Sequence, residues 1–317
     1  MFRKINFRSL LAVIIALVLI VLVIKYFDSK NGERTFKSEL VSIDTSKVSL
    51  IKIIHRLKEN ELILVKKNTT WKLRIENKEV NADEEAVQNI LSELIKLKPK
   101  RVAATAKEKW EDYEVTDSLS TRVIVEEDGK VVSDLLIGKF DYKQDPMTRR
   151  TQMTSFVRLT EENEVYAVDG FLSMTFNRDA NTFRNKTIIK SNKEDWTKLT
   201  FSYPADSSFV VLKQNNKWML NGLITDSTET ANYFNSVSML TSYDFIDDVN
   251  ENSLIQPEFS LTIEGNNFNP VKVNAFIADT VNQYIITTSL NEEAYFSGTK
   301  SNLFEKIFIS RDKLKLK

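Results

Sequence analysis

Cysteine is absent from the 317-residue chain, and histidine occurs once, at His55. The first absence excludes disulfides, thiolate catalysis, cysteine-ligated zinc and iron–sulfur clusters. The second excludes a multi-histidine metal site and leaves His55 as the sole base for any Ser-His-Asp triad. Glycine totals seven, and no P-loop or G-x-G-x-x-G occurs, so an associated ATPase has to be another polypeptide. An excess of one charge sign is also lacking. Lys plus Arg and Asp plus Glu each total 44, so no overall positive field draws the chain onto nucleic acid. These absences lead to an expectation of no enzyme activity, no metal and no cofactor.

What is present is ordinary globular material, 42% hydrophobic and 28% charged, with a length that suits two domains. The run Leu10–Ile24 is unbroken apolar sequence with Arg3, Lys4 and Arg8 before it and Lys25 after it. With its flanks it approaches the about 20 residues needed to cross a bilayer. The residues after it, Tyr26, Phe27 and Asp28, lack the small side chains of a signal-peptide cleavage site. Residues 1–27 are therefore expected to be a basic cytoplasmic tail and an uncleaved transmembrane signal anchor. This would place the chain in the bacterial inner membrane as a single-pass protein with a periplasmic or extracytoplasmic C-terminal domain. A polar linker follows over 28–45.

The remainder divides into two similar halves, 46–190 and 195–317. Leu62–Leu73 matches Phe209–Leu220, each a strand, a polar turn at Asn68 or Asn215, and a returning strand that opens with Trp71 or Trp218. A helix follows in each half. The first has Asn81 as cap with Glu84 completing a capping box, and Pro99 ending it; the second has Asp226 and Glu229. Thr121–Glu126 then matches Phe259–Glu264, and both halves close on an arginine, Phe183-Arg184-Asn185-Lys186 and Ser310-Arg311-Asp312-Lys313. The expected class is α+β, with an N-terminal transmembrane helix followed by two tandem repeats, each an antiparallel sheet with one main helix.

The Trp71 hairpin, the capped helix, Tyr113-Glu114-Val115, Ile137-Gly138 and Phe183-Arg184 together resemble the domain-of-unknown-function family 4340, here in two tandem copies. Its members are membrane-anchored bacterial proteins often encoded beside a gliding-type ABC transporter and its auxiliary component. The chain departs from the family pattern after the helix, where Tyr113-Glu-Val replaces a Tyr-Gly-Leu followed by Pro. The resemblance implies a transporter-associated or envelope role and transfers no catalytic residue.

Candidate chemistry competes with structural roles. His55 lies in an expected strand, Leu50–Arg56, without a companion motif. The acids Glu126, Glu127 and Asp128, or Asp247 and Asp248, could serve a glycosidase but fall at element ends. Trp71 and Trp218, at matched positions, are expected to pack on the sheet; Trp110 and Trp196 are less constrained. Arg184 and Arg311 are expected to hold the closing segments. The stretch Asp141–Thr154 reads as a long loop, and Met147, Arg149, Arg150 and Met153 make it the expected partner-binding element. The function expected is a non-catalytic accessory or binding subunit of an ABC-type export or cell-envelope system. The expected partners are the inner membrane, the permease and ATPase, and an auxiliary subunit. An anchored glycan hydrolase and a purely structural envelope scaffold are the alternatives.

Overall fold

The computed structural model of the protein describes residue 37 and residues 39–316, apart from 57–60, 77, 145, 146, 148, 150 and 279–283. Strands β1 (Val48–Ile54), β2 (Leu62–Lys67), β3 (Thr70–Ile75) and β4 (Lys78–Asn81) precede helix α1 (Glu84–Ile95). Strands β5 (Pro99–Ala104), β6 (Thr121–Glu127), β7 (Lys130–Gln144), β8 (Thr151–Leu159) and β9 (Val165–Asp169) follow it. All nine join one antiparallel sheet in the order β4-β3-β2-β1-β6-β7-β8-β9-β5. Alternation explains the strands: Ile51 and Ile53, Leu62 and Leu64, Trp71 and Leu73, and Val123 and Val125 are buried on one face. That face is covered by Val87, Ile90, Leu91 and Leu94 of α1 and by Leu172 and Phe176 of α2 (Leu172–Phe176).

Helix α1 starts at Asp83, whose carboxylate accepts from the amides of Glu85 and Ala86 at 3.0 and 3.1 Å. The cap is therefore not Asn81. Glu84, instead of closing a capping box, accepts from the amide of Trp71 at 2.9 Å and ties helix to hairpin.

After a 3-10 turn (Ala180–Phe183), β10 (Thr187–Lys190) leads into the second half. It contains β11 (Trp196–Ser202), β12 (Phe209–Gln214), β13 (Lys217–Leu220), β14 (Leu223–Ile224), α3 (Ser227–Val237) and β15 (Met239–Thr241). Strands β16 (Phe259–Gly265), β17 (Val271–Ile277), β18 (Tyr284–Thr288) and β19 (Phe296–Ser297), α4 (Leu303–Ile307) and a final turn (Arg311–Leu314) complete it. Eight of these strands form a second antiparallel sheet, β14-β13-β12-β11-β16-β17-β18-β19, while β10 pairs with β15. Place for place, this order follows the first eight strands of the larger sheet. Two large cores result, one from Leu40 to Phe183 and one from Ile188 to Leu314, with a smaller third cluster of Val115, Phe156, Val165 and Ala167 in the first half. Leu40 and Val41, in the expected linker, are buried in the first core. Ile188 and Ile189, assigned above to the first half, pack in the second.

The expected α+β class is corrected. The described residues build three antiparallel sheets of nine, eight and two strands, and helices are minor. One 12-residue helix, α1, covers part of a nine-stranded face, so strands set the architecture. Length also decides against a spanning helix. Twelve residues rise roughly 18 Å against the about 30 Å of a bilayer core. No helix among the described residues is long and apolar enough to cross a membrane. The expected anchor, Leu10–Ile24, lies outside the described residues. The inner-membrane, single-pass placement is thus corrected as well: the described fold supplies no element for it.

Candidate functional site

The stretch Asp141–Thr154 is strand for most of its length. β7 runs on to Gln144 and β8 begins at Thr151, with Asp141 opposite Thr154, Tyr142 opposite Met153 and Gln144 opposite Thr151. The expected long loop is a two-stranded ribbon, with a register shift between Ile137 and Phe140 where it leaves the sheet. Below the shift, Leu135, Leu136 and Ile137 are buried; above it every β7 residue from Phe140 to Gln144 is exposed.

Strand periodicity sorts the ribbon into two faces. Phe140, Tyr142 and Met153 share one, with Tyr142 directly across from Met153. Tyr142 is 71% exposed and Met147, at the tip, 94% exposed. The opposite face carries Asp141, Lys143 and Gln152. At the root the Phe140 ring packs on Phe171 with centroids 4.0 Å apart, and Ser155 accepts from the amide of Leu172 at 3.1 Å while donating to the Gly170 carbonyl at 2.9 Å. The ribbon is therefore anchored to the segment entering α2. Arg149 is exposed at the tip with φ of 55°, and Gln144 donates to its carbonyl at 3.5 Å. Arg150 lies outside the described residues. Phe140 and Tyr142 were not singled out from the sequence; the alternation Lys139-Phe140-Asp141-Tyr142-Lys143 is the signal that carries them.

Beside the root lies a cavity of about 580 Å³ lined by His55, Arg56, Glu114, Gly138, Phe140 and Asn177, among others. His55 is buried at the end of β1, with Nε2 2.8 Å from the Phe176 carbonyl oxygen, and so pins the C-terminus of α2. Arg56 and Glu114 form an ion pair. Gly138 is held tight: an added Cβ would fall 2.1 Å from the Tyr113 carbonyl oxygen.

The remaining candidates are structural. Trp71 is 2% exposed in the first core. Trp196 is fully buried and donates to Ser191 at 2.9 Å. Trp110 donates to the Asn163 carbonyl at 2.9 Å beneath the Arg158 guanidinium, 3.7 Å above its ring. Trp218 is only half-buried, packs edge-on to Phe234 at 4.8 Å and lines a groove of about 380 Å³. Asp128 turns the β6–β7 hairpin with Gly129, both at positive φ, and Glu127 accepts from the Asp44 amide at 2.6 Å.

Arg184 and Arg311 do not share a place. Arg184 is buried on the seam between the halves, 2.8 Å from Asp247 and stacked 3.8 Å over the Phe245 ring. Its chain position is fixed by a hydrogen bond from the Asp83 amide to the Phe183 carbonyl at 2.8 Å and a bridge to Ala82. In the second half the same two contacts are Asp226 to the Leu314 carbonyl at 3.0 Å and Thr225 to Lys315. Lys315 is thus the counterpart of Arg184, and Arg311 is an exposed residue at the start of the final turn.

Electrostatics are those of a braced scaffold. Burial pushes the Asp134 carboxyl up, but hydrogen bonds from Arg122 (2.8 and 2.6 Å) and Thr160 outweigh it and hold the carboxyl below the usual range. Burial lowers the Arg158 guanidinium, which donates to the carbonyls of Val115, Leu159, Thr160 and Glu162. Burial raises the phenols of Tyr203 and Tyr233, each donating to a main-chain carbonyl.

One family model, Domain of unknown function (DUF4340), matches residues 71–258. The matched stretch begins at the Trp71 hairpin and ends just before β16, so it crosses from the first sheet into the second. No curated protein and no solved structure matches the chain.

Proposed function

Because the chain belongs to the domain-of-unknown-function family DUF4340, we propose that it works by binding, as a non-catalytic accessory subunit built from two tandem family units. The β7–β8 ribbon is its contact with a partner protein. The observation that carries this reading is the ribbon's exposed aromatic and methionine face, Phe140, Tyr142, Met147 and Met153, held out on paired strands. Aromatic and methionine side chains are enriched at protein interfaces, and the aromatic ones lose little conformational entropy when docked. The acids support the non-catalytic part. Asp83 caps α1 and pairs with Lys186, Asp134 is held by Arg122, and Asp247 by Arg184. The partner is a protein subunit of the ABC-type export or envelope assembly that the family resemblance implies.

The test is a tagged pull-down of the full chain from gently solubilised cells, with mass spectrometry of what co-purifies, against a Tyr142→Ala/Met147→Ala variant. Truncating an interface aromatic costs about 2 kcal/mol, roughly thirtyfold in affinity. Recovery of a permease and ATPase by the wild type and their loss with the variant is expected. Equal recovery by both would remove the ribbon from the contact. Recovery of neither subunit from extracts that contain them would overturn the accessory role.

A further inference from the structure

The two halves differ at one matched place, where the tryptophan hairpin meets the first turns of the helix that follows it. The helix caps set the match: Asp83 accepts from the amides of Glu85 and Ala86, and Asp226 from those of Thr228 and Glu229. Glu84 therefore corresponds to Ser227, and Gln88, one turn on, to Ala231. The hairpins agree as well. Lys66 is opposite Trp71 and Lys213 opposite Trp218, and the carbonyl of each tryptophan takes the amide of Ala82 or Thr225 at 2.9 Å.

In the first half the place beside the tryptophan is filled from within the chain. Glu84 Oε1 accepts from the Trp71 amide at 2.9 Å, and Trp71 is 2% exposed. In the second half both helix side chains are cut short, and no side chain among the described residues accepts from the Trp218 amide. Half-buried Trp218 instead walls the groove of about 380 Å³, together with Lys193, Lys213, Lys217, Ser227 and Ala231 among others. Three lysines thus line this groove against one acid, Glu194. Lys217 is particular to the second half, since Thr70 holds its register position in the first. Lys213 leans over the Trp218 ring at 5.9 Å, whereas its counterpart Lys66 donates to the Ser46 carbonyl at 3.3 Å. Lys193 donates to Asn235.

From this exchange we propose that the groove binds a small organic acid, its carboxylate taking the place that Glu84 takes in the first half and its ring lying along Trp218. A main-chain amide, a serine hydroxyl and lysine ammonium groups form a donor set suited to a carboxylate. The wall made by Trp218 and Ala231 suits the apolar face of a ring. A sugar acid and an aromatic acid share that chemistry. The site is separate from the β7–β8 ribbon, and neither depends on the other.

The test is an NMR titration of the full chain, labelled with ¹⁵N-tryptophan and held in mild detergent. Each of the four tryptophans gives one main-chain and one indole signal, and Trp218→Phe assigns those of Trp218. The probes are glucuronate and phenylacetate, each run beside its neutral counterpart, glucose or phenylacetamide. Saturable movement of the Trp218 amide with one acid or both is expected, with the other tryptophans unmoved, and the acid that acts names the source. Ser227→Glu supplies the carboxylate from the chain itself. It is expected to shift the Trp218 amide without ligand and to abolish the response, while the other three tryptophans keep their signals and so show that it folds. Lys213→Ala/Lys217→Ala is expected to weaken binding about tenfold. The proposal is overturned if neither acid moves the Trp218 signals, if the neutral compounds move them equally, or if Ser227→Glu binds as wild type does.

Discussion

Replacing Arg184 by Met removes a guanidinium from the seam between the halves and leaves most of the side-chain stem in place. The cation–π contact with Phe245, at 3.8 Å and buried, is worth about 1–2 kcal/mol. The ion pair with Asp247, whose side chain is 60% exposed, adds about 0.5 kcal/mol. Methionine fills the space, so the cavity cost is small. Buried Arg184 Nε also lacks a hydrogen-bond partner, which tempers the loss. The expected cost is about 2 kcal/mol, with a coupling to Phe245→Leu of about 1 kcal/mol in a double-mutant cycle. Urea unfolding followed by tryptophan fluorescence and circular dichroism reads both, since each half holds two of the four tryptophans. The two halves should also separate into distinct transitions more readily in Arg184→Met. Arg311→Met, exposed, is expected to stay within about 0.5 kcal/mol of wild type. If Arg184→Met costs no more than Arg311→Met, or if the cycle shows no coupling, the seam is not held as argued.

Gly138→Ala should destabilise by about 2 kcal/mol or more, because the new methyl meets the Tyr113 carbonyl oxygen at 2.1 Å; a melting temperature equal to wild type would refute the close approach. Asp83→Ala should cost about 1–2 kcal/mol through the lost cap, and Asn81→Ala less by the same denaturation assay. The Asp134 carboxyl is depressed in the fold, so its contribution is fully present above the unfolded value of about 4 and is lost as pH falls through the lower folded value. Asp134→Asn is accordingly expected to lower stability at neutral pH and to flatten the acid limb of the urea midpoint against pH. Trp71→Ala should cost about 3–5 kcal/mol and Trp218→Ala clearly less, since only the first is sealed in a core.

The hairpins were legible because asparagine at the turns takes positive φ: Asn68 at 55° and Asn215 at 47°. Helices α1 and α3 were legible from their apolar spacing, whereas the five-residue α2 and α4 were not expected. The cap of α1 was misplaced by two residues because Asn81 and Asp83 both have capping side chains, and only the amides of Glu85 and Ala86 bonding to the Asp83 carboxylate show which is used. The ribbon was hidden because Lys143-Gln144-Asp145-Pro146 has loop composition, while its strand character depends on pairing across the turn. The arginine match failed for a related reason. Phe183-Arg184 and Ser310-Arg311 look alike in sequence, but equivalence is set by which carbonyl meets the helix cap, and that is Leu314. The balance between helix and strand depended on β5, β10 and β14, short segments whose extended form follows from neighbours rather than from their own pattern.

Strand β10 belongs to two neighbourhoods at once. It leaves the first half directly from Arg184, yet its Ile188 and Ile189 sit in the second core and its backbone completes the pairing of β15. Such a joint cannot be cut cleanly. A fragment begun at residue 195 would lose part of its own interior, and one ended at 190 would trail two buried isoleucines into water. An excision that keeps the second core whole must fall before Thr187.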